Sequence, residues 1–333
     1  MRKTIWLLCL VAIGLATMSG CNRGENRKGN GNAVYYWRTT FKLNSSERLF
    51  LQKHDIKKMY VKFFDVSHVW DEGVVPVGTT IFIDSVPAGL EIVPTVFITA
   101  EAINKYPEFT DKTLTRILDM ADANNIKFGE IQIDCDWNGE SAESYFAFMK
   151  KFRKMLDKKN IRLSTTIRLS QFGNETPDAD YGVLMCYNTG NMRDWKTDNS
   201  ILDIKDVEPY MEKLGGYRLP LSVAFPCFSW NVTFDDDLYF SNIEYDYYDF
   251  TNKERFKKIS ENRYKMIRER DERLYLYTPE YIRHEEPSIK EILEIKEMIL
   301  KNLPSQPKQF VIYHLDSANL SKFSDNDVEK IYR

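Results

Sequence analysis

The stretch Gly129–Asn138, GEIQIDCDWN, decides the fold, because it has the pattern of a buried strand that keeps two acids at its end. Side chains alternate between the two faces of a strand, so Asp134, Asp136 and Asn138 share one face. Carboxylates buried side by side cost free energy unless cations neutralise them or one holds a proton. The pattern therefore predicts that this strand ends at a functional edge.

Seven further strand patterns accompany this one, and most are separated by helical patterns. The predicted strands are residues 34–40, 58–66, 90–100, 130–137, 161–170, 181–187, 219–228 and 309–315, and the predicted helices are 45–55, 113–124, 142–159, 207–214 and 253–270. This alternation is typical of an α/β chain folded as a (β/α)8 TIM barrel. An open doubly wound sheet is the competing architecture. Residues 67–89 are weakly helical and contain TTIFIDSV, a candidate hairpin.

The N-terminus has the pattern of a secretory signal peptide, residues 1–20. Two basic residues precede the apolar run IWLLCLVAIGLA, and the sequence TMSGC follows, ending at Cys21. This ending resembles the bacterial lipobox, with Met18 where Leu is commoner. The resemblance implies cleavage before Cys21 and lipidation of that residue. An ordinary signal peptide with an incidental cysteine is the alternative.

A polar segment rich in Asn and Gly follows the cysteine and predicts a flexible tether over residues 21–33. We therefore expect residues 34–333 to form a single barrel domain held at a membrane through the lipid. The expected location is the bacterial cell envelope, with the outer membrane favoured and the folded domain outside the cytoplasm.

Composition and motifs exclude several classes of function. The net charge is −3 and the Lys and Arg residues are scattered, which argues against a nucleic-acid partner. Cys135, Cys186 and Cys227 lie in apolar runs without metal-ligand spacing, so we expect buried free thiols and no disulfide framework. No pattern indicates a cofactor. A divalent cation held by Asp134 and Asp136 stays an open alternative.

The predicted strands share a second feature, which is a polar or aromatic group at the C-terminal end. In a barrel these ends form one mouth, where chemistry gathers. The residues at these ends are Trp37, Arg38, Lys62, Asp65, Asp134, Asp136, Asn138, Arg168, Tyr187, Asn188, Trp230, Asn231, His314 and Asp316. Lys62 and Arg168 are candidate cations for the acids, and a structural ion-pair layer is the alternative reading. An insertion near 235–250, rich in acids and aromatics, is a candidate lid or rim.

The fourth strand carries a family resemblance. IDCDWN followed by a helix resembles the signature Asp-x-x-Asp-x-Asp-x-Glu of glycoside hydrolase family 18, the chitinase-like TIM barrels, with Asp134 and Asp136 at its second and third acids. VLMCYN, ending at Tyr187 and Asn188, resembles that family's sixth strand, and LSVAFPCFSW, ending at Trp230, resembles its seventh. The strand spacing also resembles the bacterial domain-of-unknown-function family 3142.

The departures from the signature bear directly on activity. The resemblance implies that the last acid protonates the leaving oxygen, but Asn138 stands there and an amide has no proton to donate. Asn188 replaces a supporting acid, and Ile131 stands at the first acid position. The remaining candidates for catalysis are Asp134, Asp136 and Glu140. The candidates for substrate binding are Trp37, Lys62, Trp137, Asn138, Arg168, Tyr187, Asn188, Trp230 and Asp316.

Three functions are consistent with these patterns. The first is a glycan-active enzyme with a displaced catalytic carboxylate. The second is a glycan-binding lipoprotein that keeps the cleft without the acid, and the third is an envelope scaffold. The amide at Asn138 favours binding over hydrolysis.

Overall fold

The computed structural model describes residues 31–105, 109–173, 175–245, 248–267 and 281–333. The predicted signal peptide, Cys21 and most of the predicted tether lie outside the described residues. The last three residues of the predicted tether are described, and strand β1 already begins at Asn32.

The described strands and helices follow the chain in this order. The strands are β1 Asn32–Tyr36, β2 Thr40–Phe41, β3 Ile56–Val69, β4 Gly73–Val77, β5 Ile81–Phe82, β6 Glu91–Ile98, β7 Glu130–Asp134, β8 Arg162–Ile167, β9 Tyr181–Met185, β10 Leu221–Pro226, β11 Trp230–Phe234, β12 Phe240–Glu244, β13 Phe256–Lys258, β14 Arg263–Met266, β15 Tyr281–Glu285 and β16 Phe310–Tyr313. The α-helices are α1 Ser45–Lys53, α2 Ala100–Lys105, α3 Thr110–Ala123, α4 Ala142–Asp157, α5 Ile204–Val207, α6 Met211–Leu214, α7 Ile289–Asn302, α8 Ser317–Leu320 and α9 Asp325–Tyr332.

Eight parallel strands close into a barrel in the order β1-β3-β6-β7-β8-β9-β10-β16. The closing contact is the parallel pairing of β1 with both β3 and β16, which leaves the barrel without an open edge. The predicted TIM barrel is therefore confirmed, and the open doubly wound sheet is excluded. All eight strands lie within or next to their predicted ranges.

Two predicted connections are wrong. Residues 253–270 do not form a helix over their described part, which instead contains β13 and β14. These strands join β11, β12 and β15 in a five-stranded antiparallel sheet inserted after β10, so the insertion is much longer than 235–250. Residues 67–89 are not helical. Their hairpin is formed by β3 and β4 rather than by TTIFIDSV, whose strand β5 pairs with β2.

Helix α4 illustrates how the sequence covers the barrel. Its buried residues recur at helical spacing, so one apolar stripe faces the strands. Fully burying a side chain of this size contributes roughly 2 kcal/mol. The stripe consists of Tyr145, Phe148, Met149, Phe152 and Leu156.

The three described cysteines are buried free thiols, as predicted. In the part of the chain that is described, the helices are too short or too polar to cross a membrane.

The N-terminal end of the barrel holds a buried ion pair. Lys58 Nζ lies 3.0 Å from Glu130 Oε2, and both side chains are almost completely buried. Glu130 also accepts hydrogen bonds from Ser164 at 2.7 Å and from Tyr181 at 2.5 Å. The barrel therefore does contain a structural ion-pair layer, but Lys58 and Glu130 form it at the end opposite the mouth.

Candidate active site

Asp134 ends β7 inside the barrel mouth, where its carboxylate is buried. Its Oδ1 accepts a hydrogen bond of 2.5 Å from Thr166 Oγ1 on β8, and Arg168 Nη2 lies 3.3 Å from the same oxygen. Burial raises the pKa of Asp134 from 3.8 to about 6; Arg168 opposes the rise and Asp136 adds to it. This carboxyl group therefore changes its charge close to neutral pH.

Asp136 lies two residues beyond Asp134 and is exposed, with a side-chain exposure of 55%. Arg168 Nε donates to its Oδ1 at 2.5 Å, so one guanidinium contacts both acids. Burial alone would lower the pKa of Arg168, but the two carboxylates hold it above its ordinary value. The sequence suggested two cations for the acidic pair, Lys62 and Arg168. Arg168 is the one that neutralises it.

Tyr313, at the end of β16, is the centre of an aromatic cluster at the mouth. Its ring stacks on Tyr187 with the centroids 4.6 Å apart, and it lies 6.0 Å from Trp37 and 5.9 Å from Phe228. Sequence reasoning missed Tyr313 and chose the neighbouring His314. Period-two alternation puts Tyr313 and His314 on opposite faces of the strand, so at most one of them points into the barrel, and Tyr313 does so beside Tyr35.

The acidic pair and the aromatic cluster adjoin each other. The guanidinium carbon of Arg168 lies 6.0 Å from the centroid of the Tyr187 ring. Tyr245, from the inserted sheet, is 73% exposed and stands 6.4 Å from Trp230, between centroids. The mouth therefore presents ionised groups next to aromatic rings, and the insertion contributes part of its rim.

An open depression of about 690 Å³ lies away from the mouth between β5 and α3, whereas a second of about 670 Å³ begins at Trp37. The walls of the second are Trp37, Arg38, Thr39, Thr40, Lys42 and Asn44. These residues follow β1 at its C-terminal end, so this depression continues the mouth.

Two predicted substrate-binding aromatics have other positions. Trp137 is buried against α4, where its ring lies 5.8 Å from Tyr145 and 5.1 Å from Phe146. It faces the helix layer, so we correct its assignment to a packing residue. Trp230 is also buried, and its indole N–H donates to Glu285 Oε2 at 2.6 Å. Its polar edge therefore anchors the inserted sheet.

Asn138 and Asp316 act locally on the backbone. Asn138 Oδ1 accepts hydrogen bonds from the backbone N–H groups of Glu140 at 3.0 Å and Ser141 at 3.3 Å. Asp316 Oδ1 accepts from two backbone N–H groups at the start of α8. Asp316 is the N-cap of α8, which corrects it from a free ligand of a substrate to a capping residue. Asn138 closes the turn before α4 with its oxygen and keeps an exposed amide NH2 group, so its role in substrate binding stays a prediction.

Of the remaining sequence candidates, one is buried and two are exposed. Lys62 is buried and pairs with Asp65 at 2.9 Å, so its expected partnership with Asp134 is replaced by one with Asp65. Glu140 and Asn188 are both exposed. The Glu140 side chain makes no hydrogen bond to Asp134 or Asp136, and Asn188 adopts a φ of 53° in the loop after β9.

The mouth does not assemble a metal-ligand set within the described ranges, where no group of three His, Cys, Asp or Glu side chains comes together. Arg168 occupies the space between Asp134 and Asp136 that a cation bound to both would need. The donor set therefore fits an ion pair better than a divalent cation.

No family model matches the sequence, and no curated protein matches it. Several solved structures, in contrast, match its fold. The spore cortex-lytic enzyme SleL of Bacillus megaterium QM B1551 superposes with a TM-score of 0.53 at 16% identity, covering 93% of this chain and 76% of that one. A chitinase of Chromobacterium violaceum ATCC 12472 gives 0.52 at 9% identity, with 90% and 98% covered.

The Group IV chitinase of Ostrinia furnacalis also gives a TM-score of 0.52 at 9% identity, with 91% of this chain and 98% of that chain covered. The chain has the chitinase-like barrel fold. At these identities the similarity establishes the fold and not the chemistry. The resemblance to domain-of-unknown-function family 3142 stays a prediction.

Proposed function

We propose that the barrel mouth binds a glycan without hydrolysing it. The observation that carries this proposal is the contact between the aromatic cluster and the Asp136–Arg168 pair. Sugar rings have apolar faces that stack on aromatic rings and hydroxyl groups that bond to carboxylates and guanidinium groups. Trp37 and Tyr313, whose side chains are partly exposed, offer the first kind of surface, and Asp136 offers the second. The buried ring of Tyr187 supports Tyr313 by stacking on it.

The absence of a suitable proton donor favours binding over hydrolysis. The position that carries the general acid in the chitinase-like motif holds Asn138, whose amide oxygen is engaged by its own turn. Asp136 is engaged by Arg168, whose Nε donates to its Oδ1. Glu140 is exposed on the turn and has no hydrogen bond to either acid.

Hydrolysis is the second candidate, and one observation favours it. The raised pKa of Asp134, about 6, would let its carboxyl hold a proton in mildly acidic solution. However, Asp134 is only 3% exposed and lies behind Asp136 and Arg168. A leaving oxygen would have to pass that ion pair to receive the proton, so we rank hydrolysis below binding.

Calorimetry together with an assay of reducing ends distinguishes these functions. The purified protein is titrated with N-acetylglucosamine oligomers, peptidoglycan fragments and N-glycans, and each mixture is assayed for new reducing ends. We expect binding without turnover, weakened in Tyr313→Ala, which removes a partly exposed ring of the mouth. Tyr210→Ala is the matched control, because that tyrosine lies on the outer layer between α5 and α6. Turnover lost in Asp134→Asn would establish hydrolysis instead, and no binding to any glycan would refute both functions.

We also propose that Cys21 carries a lipid that anchors the protein in the bacterial cell envelope. The support is the lipobox-like sequence and the polar segment after it. The protein should fractionate with membranes, and Cys21→Ser should release it into the soluble fraction. Cys9→Ser, inside the predicted signal peptide, is the control. Equal membrane association of wild type and Cys21→Ser would refute the anchor.

A further inference from the structure

We propose that the depression beside Trp37 selects a glycan unit that bears a carboxylate. This inference rests on the proposed glycan-binding function and adds the chemical class of the ligand. Two basic side chains, Arg38 and Lys42, contribute to its walls, and no Asp or Glu does. A wall with this composition favours an anionic group over a neutral one.

Lys42 is the free cation of the depression. It is exposed, and within the described part of the chain its ammonium group makes no ion pair. The Lys42 backbone is nevertheless fixed, because its N–H donates to Tyr36 Oη at 2.9 Å and its carbonyl accepts from the same hydroxyl at 3.2 Å. The ammonium group therefore extends from a fixed point and can reach a carboxylate at low cost.

Arg38 has a different role in the same wall. Its Nη2 donates to the fully buried Glu47 at 2.9 Å, and its side chain is 33% exposed. The guanidinium also lies 4.5 Å from the centroid of the Tyr36 ring. Arg38 is thus held in place with part of its donor edge open, but most of its charge is balanced by Glu47. Charge selection falls mainly to Lys42.

Trp37 connects this depression to the mouth. Its ring lies 6.0 Å from the centroids of both Tyr35 and Tyr313. A glycan that stacks on Tyr313 can therefore continue over Trp37, where the exposed hydroxyls of Thr39 and Thr40 meet the next unit. The carboxylate of that unit would face Lys42.

Competition between neutral and acidic oligosaccharides tests this inference. Calorimetry compares N-acetylglucosamine oligomers, oligogalacturonate and peptidoglycan fragments whose muramic acid carboxylate is free. We expect at least one acidic ligand to bind more tightly than the neutral one. Lys42→Gln should weaken the affinity for that acidic ligand by about fivefold. Lys42→Arg keeps the charge and should retain the preference. Raising the salt concentration should reduce only the binding of the acidic ligand.

The two acidic arms separate the sources of the carboxylate, because one presents it on a uronic acid and the other on a lactyl ether. Lys42 is exposed and unpaired, so Lys42→Gln should fold normally. Equal binding of neutral and acidic ligands, unchanged in Lys42→Gln, would overturn the inference and leave glycan binding intact. A failure of all three ligands to bind would overturn the proposed function together with the inference.

Discussion

Asn138 occupies the position at which the chitinase-like motif carries its general acid, and its amide closes the turn that leads into α4. Its backbone N–H also donates to the Ser141 hydroxyl oxygen at 3.0 Å. Asn and Ser favour such turns because their side chains bond to backbone groups two or three residues away. The amide is therefore explained by local structure, without any contact to a substrate.

Asn138→Ala should lower the free energy of unfolding by about 1 kcal/mol, because two backbone N–H groups lose their acceptor. Urea denaturation measures this change. Asn138→Asp is the matched control and should stay near the wild type, since a carboxylate accepts the same hydrogen bonds. An Asn138→Ala protein as stable as the wild type would show that the turn does not need the side chain.

Asp134 should make the protein less stable as the pH rises. Its pKa is raised from 3.8 to about 6 in the folded state, so between these values the native protein binds more protons than the unfolded chain. The stabilisation is complete below pH 4 and is lost as the pH rises through 6. A shift of this size corresponds to about 3 kcal/mol.

Asp134→Asn removes this ionisation and tests the prediction. The stability of the wild type relative to Asp134→Asn should be greater at pH 4 than at pH 7.5, as measured by urea denaturation at each pH. Asp111→Asn is the control, because Asp111 is an exposed carboxylate paired with Lys151 on the outer surface. A pH-independent difference between the wild type and Asp134→Asn would contradict the raised pKa.

At the scale of elements, the barrel strands were predictable and the inserted sheet was not. The strands are short apolar runs buried on both faces, a pattern that local sequence carries. Residues 253–270 are rich in Lys, Arg and Glu, which favour helices in isolation. In the structure β14 pairs with both β13 and β15, so tertiary pairing overrides that local preference.

The site likewise has a part that the local sequence predicts and a part that it does not. Strand alternation correctly placed Asp134 inside the barrel, and it would have placed Trp137 on the helix side. Alternation does not predict what happens past the strand end, where Asp136 turns toward Arg168. The anchoring of Trp230 to Glu285 depends on two strands of the inserted sheet, which lie far apart in sequence.

Arg283 should control the rigidity of the wall formed by β15 and the loop after β9. Its guanidinium donates to Glu285 and to the backbone carbonyls of Asp194 and Met192, and its side chain is fully buried. Arg283→Met leaves the buried Glu285 without its cation and should cost about 3 to 5 kcal/mol of stability. Hydrogen exchange in residues 190–202 should also accelerate.

Lys205→Ala is the control for this wall, because its ion pair with Asp198 lies in the same loop but both side chains are mostly exposed. Solvent screens such an exposed pair, so its loss should change stability little. Urea denaturation and hydrogen exchange of both variants measure the difference. Equal effects of Arg283→Met and Lys205→Ala would show that burial of the ion pair does not matter here.

At the scale of the whole molecule, stability and the proposed binding function occupy opposite ends of the barrel. The mouth carries Asp134, Asp136 and Arg168, whereas the N-terminal end carries the buried pair of Lys58 and Glu130. This division is general for barrels of this type, in which residues at the N-terminal ends of the strands serve stability. Changes at one end should therefore leave the other end intact.

Lys58→Met tests this division. The single variant leaves Glu130 buried with less positive charge nearby and should cost about 3 kcal/mol. The double variant Lys58→Met/Glu130→Gln should recover part of that loss, because a neutral amide can still accept from Ser164 and Tyr181. Urea denaturation measures stability, and calorimetry with the tightest-binding oligosaccharide should give an unchanged affinity for the folded fraction. Weakened glycan binding in the double variant would contradict the separation of the two ends. A double variant that is no more stable than Lys58→Met would contradict the importance of the ion pair.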